Sequence, residues 1–126
     1  DLRLSAETSF ETVSGFLPAT LAGKVSGFEC YHDDLRDLLE TYPDLALAGD
    51  WIYALGFRWG SSFEEGLAAW MAASAYASAT DGVVYDPQEN KVFSPQQAPD
   101  IARDQERDMP AAKERVRELL KKMGLA

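Results

Sequence analysis

The amino-acid sequence predicts an α+β fold, in which helices cover one face of a mixed or antiparallel sheet of about four or five strands. Segments with alternating apolar residues suit strands, segments with helical periodicity suit helices, and the predicted helices are bracketed by strands. The chain has 126 residues, of which 46% are hydrophobic and 26% are charged. A single globular domain over residues 1–126 is therefore expected.

The first third of the chain predicts two strands separated by an irregular segment. Leu2 and Leu4 alternate with charged neighbours, as in a short half-buried strand. The next segment is expected to form short helical turns and loop, because it contains Gly15, Pro18 and Gly23. The stretch KVSGFECYH then predicts a strand that carries Phe28, Cys30 and His32 on one face.

The middle of the chain predicts a helix followed by a strand. Asp33 or Asp34 can cap the helix and Pro43 ends it, with loop or a frayed turn up to Gly49. The strand lies in WIYALGFRWG, whose bulky face carries Tyr53, Leu55, Phe57 and Trp59. On the other face, Gly56 leaves room for a group to lie close above the strand.

A helix of about five turns is predicted after this strand. Ser61 or Ser62 is the expected N-cap, and Glu64 or Glu65 completes a capping box. Its many alanines imply close packing on the sheet. The predicted inner face consists of Phe63, Leu67, Trp70, Met71 and Ser74.

The last third predicts a hairpin, a link and a closing helix. Pro87 and Asn90 suit the hairpin turn, since proline fits its second position and asparagine tolerates a left-handed backbone. Prolines and alternating charges predict an extended, exposed link over residues 94–110. The closing helix is expected over residues 111–123. Its inward side is predicted to hold Val116, Leu119, Leu120 and Met123, and its water-facing side Lys113, Arg115, Arg117, Lys121 and Lys122.

Charge and composition restrict the classes of partner. The net charge of -9 disfavours nucleic-acid backbones and anionic membranes and favours a basic protein surface. No apolar run approaches the roughly 20 residues that a membrane span needs. The single cysteine, Cys30, cannot form an internal disulfide, which suggests a reducing compartment. A cytoplasmic location is expected, with export after removal of a signal as the alternative.

The sequence predicts no catalytic residues, no metal site and no cofactor. His32 could act as a base or as a metal ligand beside Asp33 and Asp34, but a strand-end histidine next to a helix cap is the expected interpretation. Cys30 is expected to be a buried structural thiol rather than a nucleophile. The glycines fit no phosphate-binding pattern, and no calcium-loop spacing is present.

An acidic run between Glu29 and Asp50 is the main functional signal. This run contains seven acidic residues and one basic residue, Arg36, and tyrosines and a tryptophan lie close by in sequence. A solvated helix face is one interpretation. The other is a surface that steers and anchors a basic protein. The predicted partner-binding residues are Asp33, Asp34, Asp37, Glu40, Tyr42 and Trp51.

Three stretches also carry a family resemblance. SGFECY, YALGFRWG and TDGVVYDPQENKVFSP, with an alanine-rich helix between the last two, resemble small acidic bacterial α+β proteins described as immunity proteins of antibacterial toxins. The resemblance spans about Val25 to Pro95. It implies a non-enzymatic protein that binds a toxin domain and occludes its active site. The resemblance supplies no catalytic residues.

Two alternatives accompany this hypothesis. The first is a small-molecule-binding or enzymatic domain with a pocket between sheet and helices near His32, Arg58 and Asp86. The second is a structural subunit that forms a homodimer through a sheet edge or the alanine-rich helix.

Overall fold

The structure, a computed structural model, describes residues 2–5, 9, 11–47, 49–60 and 62–125. It is an α+β fold, as predicted. The main sheet is antiparallel throughout and has the strand order β1-β2-β3-β4. These strands are β1 (Leu2–Leu4), β2 (Gly15–Leu21), β3 (Lys24–Asp33) and β4 (Ala54–Arg58). The hairpin strands β5 (Val84–Asp86) and β6 (Lys91–Phe93) form a second sheet.

Strand β2 corrects the prediction of short helical turns and loop. Its side chains alternate, with Leu17 buried against the core and Phe16 exposed on the other side. Pro18 is tolerated because its carbonyl accepts from Ser5 N at 2.9 Å, on the β1 side of the strand. The N–H and C=O of a strand residue point to the same side, so the N–H that proline lacks would not have bonded to β3. Ala22 and Gly23 then form a two-residue turn with φ values of 50° and 80°.

The core lies between the main sheet and the helix α3 (Phe63–Thr80). Phe28 and Cys30 are completely buried on the inner face of β3, as their predicted common face requires. The ring of Phe28 lies 5.9 Å from that of Phe57. His32 shares this face through its pairing with Leu55, but it lies at the strand end and is exposed.

Helix α3 begins at the predicted capping box, but of the five residues predicted for its inner face only Leu67 and Ser74 are buried. Ser62 Oγ accepts from Glu65 N at 3.1 Å and donates to Glu65 Oε1 at 3.0 Å. The other predicted cap, Ser61, lies outside the described residues. Phe63 is exposed, and the buried positions are Gly66, Leu67, Ala68, Ala69, Ala72, Ser74 and Ala77. The reason is that α3 packs between the sheet and a second helix, where small side chains allow close approach.

Two short helices follow β3. Helix α1 (Leu35–Thr41) is capped by Asp34, whose carboxylate accepts from Asp37 N at 3.2 Å. Pro43 does end α1, but it also begins α2 (Pro43–Leu47), where loop or a frayed turn was predicted. Proline suits a first helical position because the N–H it lacks has no partner there in any helix.

Helix α4 (Ala98–Lys122) corrects the prediction of an extended link over residues 94–110. Ser94 and Gln97 exchange hydrogen bonds of 3.1 Å and 3.0 Å just before it. Pro99 fits the first turn, and Pro110 lies exposed inside the helix. Ion pairs one turn apart, such as Arg103 with Asp100 at 3.3 Å, support this exposed helix.

The inward side predicted for the closing helix is also wrong. Leu119 is 57% exposed and Met123 is 61% exposed, and Val116 and Leu120 are exposed as well. Helix α3 has 18 residues and α4 has 25, so they measure about 27 Å and 37 Å. The two helices run antiparallel, because Ser78 near the end of α3 bonds to Pro95 just before α4, whereas Glu64 in the first turn of α3 pairs with Lys113 in the second half of α4. Residues 114–123, the α4 tip, therefore extend beyond their neighbour.

The predicted hairpin is confirmed. Asn90 has a φ of 51°, as its turn position requires, and its side chain accepts from Tyr85 Oη at 2.6 Å.

Across the described ranges, no helix combines the length and the apolar character that crossing a membrane would require.

Candidate functional site

A cleft of about 640 Å³ lies beside β4, and we call it the β4 cleft. Every residue of β4 lines it. Successive strand residues point to opposite faces, so a cavity that contacts all of them lies along the edge of the strand. The opposite side is formed by the second half of α3 and by residues 81–87, which include β5, while α1 and α2 close one end.

Aromatic side chains build the walls of the β4 cleft. The rings of Tyr42 and Tyr85 lie 4.8 Å apart and join α1 to the hairpin. Tyr76 Oη on α3 donates to Tyr53 Oη at 2.9 Å. Trp51 Nε1 donates to the carbonyl of Leu45 at 2.9 Å and ties α2 to the segment before β4. These contacts connect five segments of the chain around one concave surface: α1, α2, the segment before β4, α3 and the hairpin.

The cleft is acidic. Among the described residues that line it, the charged side chains are Asp33, Asp50, Asp81, Asp86 and Arg58. Arg58 already has partners: Nη2 lies 3.1 Å from Asp33 Oδ1, and the guanidinium lies 5.2 Å from the centre of the Tyr31 ring. The remaining carboxylates leave a negative field over the cleft.

Gly56 explains how Asp33 reaches across the outer face of β4. A Cβ at this position would lie 2.3 Å from Asp33 Oδ2, far inside van der Waals contact. The predicted space above Gly56 therefore exists, and the carboxylate of Asp33 fills it. A side chain at position 56 would displace Asp33 from Arg58 and change the charge at the cleft entrance.

Two tyrosines of the cleft, Tyr76 and Tyr85, have a raised pKa and stay neutral at physiological pH. Burial, and then the hydrogen bond with Tyr53, raises the pKa of Tyr76 to about 12. Desolvation, followed by the nearby Tyr42, raises the pKa of Tyr85 above its ordinary value. These hydroxyls can therefore donate and accept hydrogen bonds but supply no charge for acid–base chemistry.

The histidine and the cysteine lie outside the cleft lining. His32 is not among the residues lining the cleft, and its ring centre is 6.3 Å from that of Tyr53. Cys30 is buried in the core, where desolvation, with a smaller effect of Asp33, raises the pKa of the thiol to about 11. Among the described residues, no group of three His, Cys, Asp or Glu side chains could hold a metal ion.

The structure places three of the six predicted partner-binding residues in the β4 cleft, namely Asp33, Tyr42 and Trp51. The other three, Asp34, Asp37 and Glu40, belong to α1 and its cap and lie outside the lining. One carboxylate oxygen of Asp34 accepts the hydrogen bond that caps α1. Asp37 and Glu40 are exposed on α1, which itself forms part of the cleft wall.

Of the three residues predicted to surround a small-molecule pocket, Arg58 and Asp86 line this cleft, and His32 does not.

Sequence reasoning missed Trp70, Tyr76 and Tyr85 as cleft residues. For Trp70 and Tyr76, the available signal was the presence of large aromatic residues within an alanine-rich helix. Comparisons of the chain with models of protein families, with curated proteins and with solved structures found no match. The function is therefore argued from the cleft itself.

Proposed function

We propose that this protein is a non-enzymatic, protein-binding inhibitor of the immunity type, which captures a basic segment of a toxin and keeps substrate out of the toxin's active site. The observation that carries the proposal is the β4 cleft, which combines aromatic walls with a surplus of carboxylates. Tyrosine and tryptophan anchors in a desolvated concavity are typical of the residues that dominate protein–protein affinity.

Charge near the cleft supports capture of a basic partner. Asp37 and Glu40 on α1 extend the negative surface beyond the cleft walls. Opposite charges on two proteins increase the rate of encounter and fix their relative orientation more than they increase affinity. A toxin that acts on an anionic substrate presents a basic active site, and the acidic cleft complements such a surface.

The placement of reactive groups supports a non-enzymatic role. A general base must reach the bound molecule within hydrogen-bond distance. The histidine lies outside the β4 cleft, the buried thiol of Cys30 is held protonated, and Tyr76 and Tyr85 are held neutral by their raised pKa values. Apart from its carboxylates, which we assign to binding the basic partner, the cleft offers aromatic and hydroxyl groups that bind and orient.

The test is retention of a partner from lysate of the native cells, followed by an assay of that partner's toxic activity. The cleft variant Asp50→Lys/Asp86→Lys is compared with the control Glu106→Lys/Glu118→Lys, which changes the net charge equally on exposed positions of α4. We expect the wild type and the control to retain and inhibit a basic toxin domain, and the cleft variant to lose it. The proposal would be contradicted if the cleft variant retained the partner as well as the wild type does, or if the partner kept its full toxic activity in the complex.

A second candidate is binding of a small molecule, which the size of the cleft favours. Pockets for such ligands measure roughly 300–1,000 Å³, and about 640 Å³ lies within that range. Arg58 and Asp86 would then fix the ligand through polar contacts. A metabolite that co-purifies with the wild type and is lost in Arg58→Ala would support this candidate over the first.

A further inference from the structure

The free edge of β4 provides a backbone recognition surface inside the cleft. As the last strand of the main sheet, β4 pairs with β3 on one side, and no described strand pairs with its other side. In an antiparallel pair, alternate residues direct both N–H and C=O away from the partner strand. About two or three of the five β4 residues therefore present both groups towards the cleft.

This edge has few of the features that usually block strand pairing. Protective features include charged residues, proline, bulges and very short strands. Strand β4 carries one charge, Arg58, contains no proline, and keeps an unbroken register with β3 from Glu29 to Asp33. The opposite edge of the sheet, β1, has only three residues and carries Arg3 at its centre. The longer and less protected of the two edges is therefore the one that faces the cleft.

The cleft walls determine what can approach this edge. Helices α1 and α2 close one end, and the segment that contains β5 lies opposite. A single extended chain is the smallest element that can pair with β4 along its length. A strand of five residues spans about 17 Å, so β4 can pair with a segment of similar length.

We propose that the protein binds its partner by strand addition: an extended segment that carries lysine or arginine pairs with the free edge of β4. Backbone hydrogen bonds supply affinity, and the alternating side chains supply specificity. Apolar residues of the segment can contact Trp70 and Tyr76, and its basic residues can meet the negative field of Asp50 and Asp86, all of which line the cleft. This inference rests on the proposed function for the identity of the partner, but not for the mode of binding.

The probe is a synthetic peptide of alternating lysine and valine, about seven residues long so that it spans β4 with a residue to spare at each end. Two matched controls isolate the two parts of the proposal. A peptide of alternating glutamate and valine tests the charge. Two N-methylated lysine–valine peptides, one for each set of alternate nitrogens, test the backbone bonds, because a methyl group removes the donor and keeps the side chain.

Affinity is measured by the fluorescence of the cleft tryptophans, and pairing by protection of the β4 amide protons in NMR. We expect the lysine–valine peptide to bind and to protect alternate amides of β4. The glutamate–valine peptide and one of the two N-methylated peptides should bind at least about tenfold more weakly, and the other N-methylated peptide should bind like the parent. The variant Asp50→Lys/Asp86→Lys should also bind the lysine–valine peptide more weakly.

Three outcomes would overturn strand addition. One is absence of binding by the lysine–valine peptide. Another is binding that neither N-methylation changes. The third is β4 protection without peptide in a species that sediments as a dimer, because a second copy then occupies the edge. If the lysine–valine peptide pairs with β4 while no toxin is retained, strand addition stands and the immunity proposal fails. If a toxin is retained without β4 protection, the reverse holds.

Discussion

Helices α3 and α4 lie side by side, and their amino-acid patterns give opposite impressions of which one is buried. Helix α3 has no clear apolar stripe, since small and apolar residues occur all round it, yet seven of its positions are buried. Helix α4 has a regular apolar stripe over its last three turns, yet that stripe is exposed. The more amphipathic helix is therefore the one that contributes less to the core.

The difference shows that burial depends on the neighbours a helix has as well as on its own pattern. Helix α3 packs against the sheet on one side and α4 on the other, so nearly its whole circumference needs small or apolar residues. Among the described elements, helix α4 packs mainly against α3, whose N-terminal end lies near Lys113. An apolar stripe beyond that point has nothing in the described chain to pack against.

The same substitution in both helices gives the largest expected contrast. Leu67 is 3% exposed in α3, so Leu67→Ala should lower the free energy of unfolding by about 2–5 kcal/mol, through lost burial and the cavity left behind. Leu119→Ala in the α4 tip should change it by less than about 0.5 kcal/mol. Urea unfolding of the purified variants measures both. Equal losses would mean that the tip is packed in solution.

Enlarging a small residue should give a smaller contrast. Ala68 is completely buried, so Ala68→Leu should cost about 1–3 kcal/mol by overpacking α3 against its neighbours. The matched control is Ala111→Leu at an exposed position of α4, where extra methyl groups meet solvent. Thermal unfolding of the two variants compares them directly. A wild-type melting temperature for Ala68→Leu would show that α3 is loosely packed.

The smallest expected effect concerns the ion pair that joins the two helices. The hydrogen bond from Lys113, followed by the backbone of its own helix, lowers the pKa of Glu64 below its ordinary value. This contribution is present above the unfolded pKa, about 4.3, and is lost as the pH falls through the folded pKa. The stability gap between wild type and Glu64→Gln should be about 1 kcal/mol or less at neutral pH and should close on acidification.

Urea unfolding between about pH 6 and about pH 3 measures this gap. Glu118→Gln in the α4 tip is the control, because no ion pair of this residue is described and its gap should stay near zero at every pH. A gap for Glu64→Gln that widens in acid would contradict the assigned role of Lys113.

Much of the fold could be predicted because local signals and tertiary structure agree there. Strand β3, the capping box at Ser62 and the hairpin turn at Asn90 each depend on residues within a few positions of one another. Strand β2 was missed because Gly15 and Pro18 usually break strands, and only the pairing partners show that Pro18 loses no bond to β3. The first half of α4 was missed because prolines usually exclude a helix; Pro99 lies in the first turn, where a helix tolerates it, whereas Pro110 lies inside the helix.

The candidate site was harder to predict because it depends on strand order. The acidic segment pointed to Asp33, Tyr42 and Trp51, which lie near one another in sequence. Nothing in the sequence shows that β4 is an edge strand or that Tyr85 in the hairpin reaches Tyr42. Side chains from distant segments meet in the cleft only after the sheet and α3 have assembled.

The turn at Ala22 and Gly23 also bears on the kinetics of folding. It joins β2 and β3 through only two residues, whereas β3 and β4 are separated by the whole of α1 and α2. Closing a short loop costs less chain entropy, so the β2–β3 hairpin is the natural nucleus of the sheet. Ala22 must adopt a left-handed backbone there, which an L-residue with a Cβ disfavours. The left-handed backbone of Ala22 therefore raises the barrier to forming the β2–β3 hairpin, which chain entropy alone would make the quickest part of the sheet to form.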